Sequence, residues 1–182
     1  MNRKTLWITQ TAVLIALLII LQYTTASLGQ LITGSCVNAV LAFSALAVGI
    51  SNSAVVALLS PFFAFMLGIG PKLLPIVPCI AIGNLTYVLI IAIISGKGMN
   101  DTRNAVSVGI GAVLKFVVLQ YLVVNIVCTK LPLKPPQIAT FTKMFSWPQL
   151  ITALIGGILA MFIAKAVRKA INKVKNSKQE TH

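Results

Sequence analysis

The stretch LPIVPCIAIGNLTYVLIIAIIS, running from Leu74 to Ser95, contains no charged residue. A helix needs roughly 20 apolar residues to cross a hydrocarbon core of about 30 Å, so this segment alone reads as a membrane span. The rest of the chain agrees with it. Of 182 residues, 58% are hydrophobic and 9% are charged, with a mean hydropathy of +0.96. A soluble domain carries about 25% charged residues, so water cannot be the main solvent here.

Outward from that run lie five further apolar candidates. Leu6–Leu28, Val37–Ile50 and Ser53–Leu67 precede it, and Asn104–Cys128 and Pro148–Val167 follow. Glycine and proline punctuate helices, so Gly29–Ser35 and Gly68–Lys72 read as loops. The second and third runs meet at Ser51, Asn52 and Ser53, which predicts a tight helical hairpin, and both are short for a straight crossing. The expected fold is an all-α membrane protein. Six transmembrane helices form one compact bundle over residues 1–170, and a basic cytoplasmic tail occupies 171–182.

Six spans put both termini on one side of the membrane. That side holds Arg3, Lys4, Lys97, Arg103, Lys165, Arg168, Lys169, Lys173, Lys175 and Lys178, while the other holds Lys72, Lys130, Lys134 and Lys143. Cytoplasmic loops carry the excess of Lys and Arg, so both termini are expected to be cytoplasmic. Arg3 and Lys4 ahead of an apolar run also resemble a signal peptide. The run continues too far for that and contains the polar Gln10 and Gln22, so a retained first helix is expected.

The formal charge of +13 comes from 15 Lys+Arg against 2 Asp+Glu. Those cations flank spans and decorate no aromatic-interleaved soluble domain, so the expected partner is the lipid bilayer and not a nucleic acid. The only acids are Asp101 and Glu180 and the only histidine is His182. No catalytic residues, metal site or cofactor are expected from that inventory. Cys36, Cys79 and Cys128 lie far apart and read as apolar filler. No span contains an acid, although ion-coupled carriers commonly use intramembrane acids. No GxxxxGK[ST] phosphate loop is present either, so active transport would need energy from a partner.

The one charge inside a span is Lys115, about eleven residues from the start of the fifth run, roughly 16 Å of helical rise. A lysine at a helix centre costs roughly 2.5–3.5 kcal/mol on insertion scales. Either it serves as counter-ion to a carboxylate- or phosphate-bearing ligand, or it snorkels to an interface. Asn84 sits mid-span, with Tyr87 three residues on and on the same face; its amide either clips helices together or reads a ligand. Asn38 is one of the few polar residues in the second span. Trp147 suits an interfacial belt, Pro148 suits a first helical turn, and Gln149 faces headgroups or the mouth of a cavity. Lys72 and Gln30 are expected in outer loops that could cover such a mouth. Ala12 and Ala16 form a small-xxx-small pair that lets another helix approach, and Gly156 with Gly157 give the sixth span a similar notch.

With Thr11-Ala-Val-Leu-Ile-Ala-Leu17, Pro61–Phe65 and Gly68-Ile-Gly-Pro71, the chain resembles a substrate-binding S component of an energy-coupling factor (ECF) transporter, over nearly its whole length. The resemblance implies a bacterial plasma-membrane protein that binds a vitamin or related micronutrient from outside with high affinity. The implied pocket lies near the outer leaflet between the fourth to sixth helices, capped by the loops after the first and third. It also implies a membrane T component and two ATPases as partners, with Ala12 and Ala16 facing the T component. Asn84, Lys115 and Gln149 fall on the implied pocket helices, and Gln30, Asn38, Lys72, Tyr87 and Trp147 complete the candidate set.

Lys115 points to an anionic or zwitterionic ligand such as pantothenate, biotin or niacin. Two other classes compete with this reading. A structural membrane protein of the MreD-like kind needs no ligand cavity. A passive facilitator should carry a polar stripe through several spans, but the second and third offer only Asn38, Ser44 and Ser60.

Overall fold

Two glycines decide where the first two helices end. In the computed structural model, which describes residues 2–96 and 100–180, α1 spans Arg3–Thr25 and runs through a 3-10 turn to Gly29 at φ +88°. Helix α2 spans Gln30–Phe43, continues as a π turn over Ser44–Val48, and stops at Gly49 with φ +137°. Side chains disfavour such positive φ values and glycine does not. Helix α3 then occupies Ile50–Met66.

Two expected boundaries change as a result. The hairpin turns at Gly49, and Ser51–Ser53 form the first turn of α3. The first interruption shrinks to the 3-10 turn and Gly29, because residues 30–35 are already helical. Gly34 sits inside α2 without breaking it. A β-carbon there would come within 3.0 Å of Thr152 Cγ2, so the missing side chain lets the last helix close in. Counted with its π turn, α2 reaches 19 residues and is long enough to cross, leaving the 17-residue α3 short among the six expected spans.

Helix α4 covers Ile76–Ser95. Helix α5 covers Asp101–Leu119, starting where the Asn100 side chain accepts from the Arg103 amide at 3.0 Å, and extends through a π run, Gln120–Val127, to Cys128–Lys130. A short helix, α6, occupies Pro135–Met144, where the residue pattern gave no expectation of one. Proline suits its first turn, and the Lys134 amide donates to Gln137 Oε1 at 3.0 Å. Phe141 of α6 is buried with Ile76, Leu119 and Val123, which fastens this helix over one end of α4 and α5.

The last helix, α7, is Trp147–Glu180 and continues without interruption across the expected boundary at 170, well beyond the expected end at Val167. Lys97 and His182 lie outside the described residues, as do the side chains of Lys175, Lys178 and Glu180.

The six long helices close into a ring in the order α1, α3, α4, α5, α7, α2. The glycine pair in α7 makes two of those contacts possible. A β-carbon on Gly156 would lie 2.6 Å from the Ser35 carbonyl oxygen of α2, and one on Gly157 would lie 2.7 Å from the Tyr87 hydroxyl. At the end that carries the termini, the Trp7 indole donates to Ser51 Oγ at 2.9 Å and Asn52 Nδ2 donates to Thr11 Oγ1 at 2.9 Å. An exposed ion pair joins Lys165 to Asp101 at 2.6 Å at that same end. Leu41, Val56, Val88 and Ile91 fill the centre of the bundle. Away from the termini the packing opens.

Candidate functional site

The opening is a cavity of about 320 Å³ at the end of the bundle opposite the termini. Its upper wall comes from the ends of α1 and α3, the segment Ile69–Pro71 and the start of α7; its floor lies deeper, at Asn38, Asn84 and Lys115. Pockets for small molecules have mostly apolar walls with a few placed polar groups. Here Val37, Pro61, Phe65, Ile80 and Phe145 provide the apolar part.

The floor is a chain of hydrogen bonds that crosses five helices. Lys115 Nζ donates to Asn38 Oδ1 at 2.5 Å and to Asn84 Oδ1 at 2.7 Å. Asn38 Nδ2 donates to Thr152 Oγ1 at 3.2 Å, and the threonine hydroxyl donates to the Gln149 carbonyl at 3.2 Å. On the other side, Asn84 Nδ2 donates to Ser60 Oγ at 3.1 Å, and Ser60 donates to the Ala57 carbonyl at 3.3 Å. Pro61 explains that last step. Proline has no amide hydrogen, so it leaves the carbonyl four residues back without its helical donor, and Ser60 supplies one. Each asparagine thus donates one hydrogen bond through its nitrogen and turns its oxygen to the ammonium.

Lys115 is 3% exposed, which places it inside the bundle and excludes snorkelling. The Tyr87 ring lies beneath it, 5.4 Å from Nζ to the ring centroid, and a cation is attracted to an aromatic face at that range. No other charged residue lines the cavity among the described residues, and no carboxylate neutralises the ammonium.

At the mouth, Gln30 Nε2 donates to the Met144 carbonyl at 2.6 Å, and Gln149 Nε2 donates to the same oxygen at 3.2 Å. These bonds tie the start of α2 and the start of α7 to the end of α6. Gln30 lies in the first turn of α2, not in a covering loop.

Of the candidate set, the structure brings Gln30, Asn38, Asn84, Lys115 and Gln149 to one cavity. Tyr87 lies beneath the floor and does not line it; its hydroxyl is committed to the Ala153 carbonyl. Lys72 and Trp147 are exposed and stand outside the lining. The loop that carries Lys72 contributes Gly70 and Pro71 instead, since the helix ends at Met66 and only the nearer part of the loop folds over the mouth. Trp147 points away because α7 turns Gln149, two residues on, inward. Gln22, Ser60 and Thr152 were not among the candidates. A polar residue in an otherwise apolar span was the available signal for all three. Ala12 and Ala16 are exposed on one face of α1, clear of the cavity.

A family model described as "ECF transporter, substrate-specific component" matches residues 7–168. No curated protein and no solved structure matches the chain. A multi-pass helical bundle with a cavity at one end and a family match across most of its length leads to one assignment: the chain belongs to the substrate-specific components of ECF transporters, which take up a small molecule together with an ECF module.

Proposed function

We propose that this component captures a vitamin-like anionic or zwitterionic molecule at the outer face of a bacterial plasma membrane, with its carboxylate seated on Lys115. The observation that carries the reading is the buried ammonium at the cavity floor, held by two neutral amide oxygens and, among the described residues, by no acid. A charge in a low-dielectric site is costly unless paired, and a bound anion supplies the missing partner. The amides, Tyr87 and the Ser60 and Thr152 hydroxyls hold the ammonium in place before the ligand arrives, so little ordering accompanies binding.

The rest of the cycle follows from the lack of a power source. The chain has no phosphate loop, and its two acids, Asp101 and Glu180, stand at the first residue of α5 and the last of α7 and not within the apolar stretches, so a T component and two ATPases drive release on the cytoplasmic side. Ala12 and Ala16 offer α1 a smooth face for the T component. Both termini are assigned to the cytoplasm because the basic residues of α7 and the start of α1 lie at the end away from the cavity.

The test is direct. The protein is purified in detergent, its co-purifying small molecules are identified by mass spectrometry, and each is assayed for thermal stabilisation. A ligand at a hundredfold its Kd adds about 2.7 kcal/mol. No co-purifying ligand, and no stabiliser among the vitamins, would overturn the reading and favour a structural role.

A further inference from the structure

A carboxylate seated on Lys115 brings the ligand's next atoms to the cavity floor, and that floor carries one formal charge. Lys115 is the single charged residue among the described residues that line the cavity. Its Nζ already engages two neutral acceptors, Asn38 Oδ1 and Asn84 Oδ1, and rests over the Tyr87 ring. An ammonium has three donors, so one is left for an incoming oxygen. Each asparagine amide likewise has a second N–H beyond the one it gives to Thr152 or Ser60. Every group that can still act here is a donor or is shared with a cation. The floor suits negative charge.

Positive charge has no place beside it. An α-amino acid held by its carboxylate carries its ammonium on the adjoining carbon, a few ångströms from Lys115. Like charges that close repel, the more so where water is scarce. Lys115 is 3% exposed and both asparagines 2%, so water screens them poorly. The adjoining wall supplies no acid. Val37 and Pro61 flank the floor residues, Ile80 lies one turn before Asn84, and Ser60 is committed to the Ala57 carbonyl.

We propose that Lys115, Asn38 and Asn84 act as a charge filter on the atom next to the carboxylate, so that the cavity takes simple and 2-hydroxy carboxylic acids and rejects α-amino acids of the same skeleton. This rests on the assignment of Lys115 as the carboxylate site and narrows it. A zwitterion is admitted only if its cation lies far from the carboxylate, towards the mouth. Discrimination of this kind comes from an unpaired like charge imposed on the wrong ligand and not from an added contact to the right one.

The experiment measures thermal stabilisation of the detergent-purified full chain by two series of matched skeletons. One is 3-phenylpropionate, 3-phenyllactate and phenylalanine; the other is indole-3-propionate, indole-3-lactate and tryptophan. The hydroxyl of each lactate has nearly the bulk of the amino group without its charge, which separates charge from size. The wild type, Lys115→Met and Asn84→Asp are compared.

In each series whose acids bind, the propionate and the lactate are expected to half-saturate the wild type at concentrations at least tenfold below the amino acid. Asn84→Asp supplies the missing acid, so there the amino acid should bind at least as well as the propionate. An amino acid that matches its propionate in the wild type, a lactate rejected as strongly as the amino acid, or an Asn84→Asp protein that keeps the wild-type preference overturns the charge filter. So does binding of none of the four acids at millimolar concentration. In those cases the carboxylate site itself stands or falls on the vitamins. Undiminished acid binding in Lys115→Met overturns the carboxylate site and this proposal with it.

Discussion

The Tyr87 hydroxyl donates a 2.6 Å hydrogen bond to the Ala153 carbonyl oxygen, across a gap that exists because residue 157 is glycine. The bond ties α4 to α7 directly beneath Lys115, whose ammonium rests over the Tyr87 ring. The floor of the cavity therefore depends on the close approach of two helices. Any side chain that separates them disturbs the ammonium as well as the packing.

Gly157→Val should consequently act on stability and binding together. Overpacking a tight contact costs typically 1–3 kcal/mol, and the displaced Tyr87 no longer supports Lys115. A melting temperature lowered by several degrees and a ligand affinity weakened at least tenfold are expected. Gly109 lies in α5 with open space around it, so Gly109→Ala should leave affinity unchanged and hold or slightly raise the melting temperature, because alanine favours a helix over glycine, and it serves as the control.

Replacing Asn84 by aspartate places a carboxylate against Lys115 at the position the Asn84 oxygen now holds, 2.7 Å from the ammonium. The protein then carries its own counter-ion. Asn84→Asp should raise the melting temperature of the ligand-free protein and abolish acid binding, because the incoming carboxylate meets a neutralised site and a like charge. Asn84→Ala removes the same amide without adding charge and should weaken binding without the stabilisation. Parallel melting curves with and without biotin, pantothenate and nicotinate check both outcomes.

The mouth gives a kinetic prediction. Gln30→Ala removes the 2.6 Å bond that ties α2 to the end of α6. Retention of a bound molecule depends on that closure, so the dissociation rate should rise severalfold while floor contacts remain intact. Stopped-flow or filter-binding measurement of dissociation from wild type and variant checks it, and an unchanged rate would assign the bond to structure alone.

On the opposite, exposed face of the bundle, Ala12→Leu and Ala16→Leu add bulk where α1 presents its small residues. Neither residue touches the cavity, so ligand affinity should stay at the wild-type value. Uptake by vesicles containing the complete ATP-driven module should fall sharply, because close helix approach depends on small side chains.

Much of this architecture is legible in the residues. The spans of α1, α4 and α5, the glycine notch at Gly156 and Gly157 and the anomalous Lys115 all follow from hydropathy, small-residue spacing and the cost of a buried charge. What escapes is whatever depends on packing between distant segments. Gly34 looks like a helix breaker until Thr152 is placed against it, and Gly49 becomes the turn only when its φ is known. The amphipathic α6 is too short for its period to register, and its single buried phenylalanine has meaning only against α4 and α5.

The site divides along the same line. Lys115, Asn84, Asn38 and Gln149 are conspicuous because each is polar where lipid or core surrounds it. Lys72 and Trp147 are conspicuous for reasons that suit an interface equally well, and the fold leaves them outside the lining. Gln22 is visible as a polar residue in an apolar span, but only the fold places it in the cavity wall.

The central claim is that the ligand's carboxylate completes the Lys115 ammonium, and the most direct measurement compares acids with their neutral counterparts. Stabilisation of the wild type and of Lys115→Met is measured with pantothenate against panthenol, biotin against biotinamide, and nicotinate against nicotinamide. The account predicts that at least one acid stabilises the wild type at far lower concentration than its neutral partner, and that Lys115→Met erases the difference. A neutral partner that binds as tightly as its acid, or a Lys115→Met protein that still prefers the acid, contradicts it.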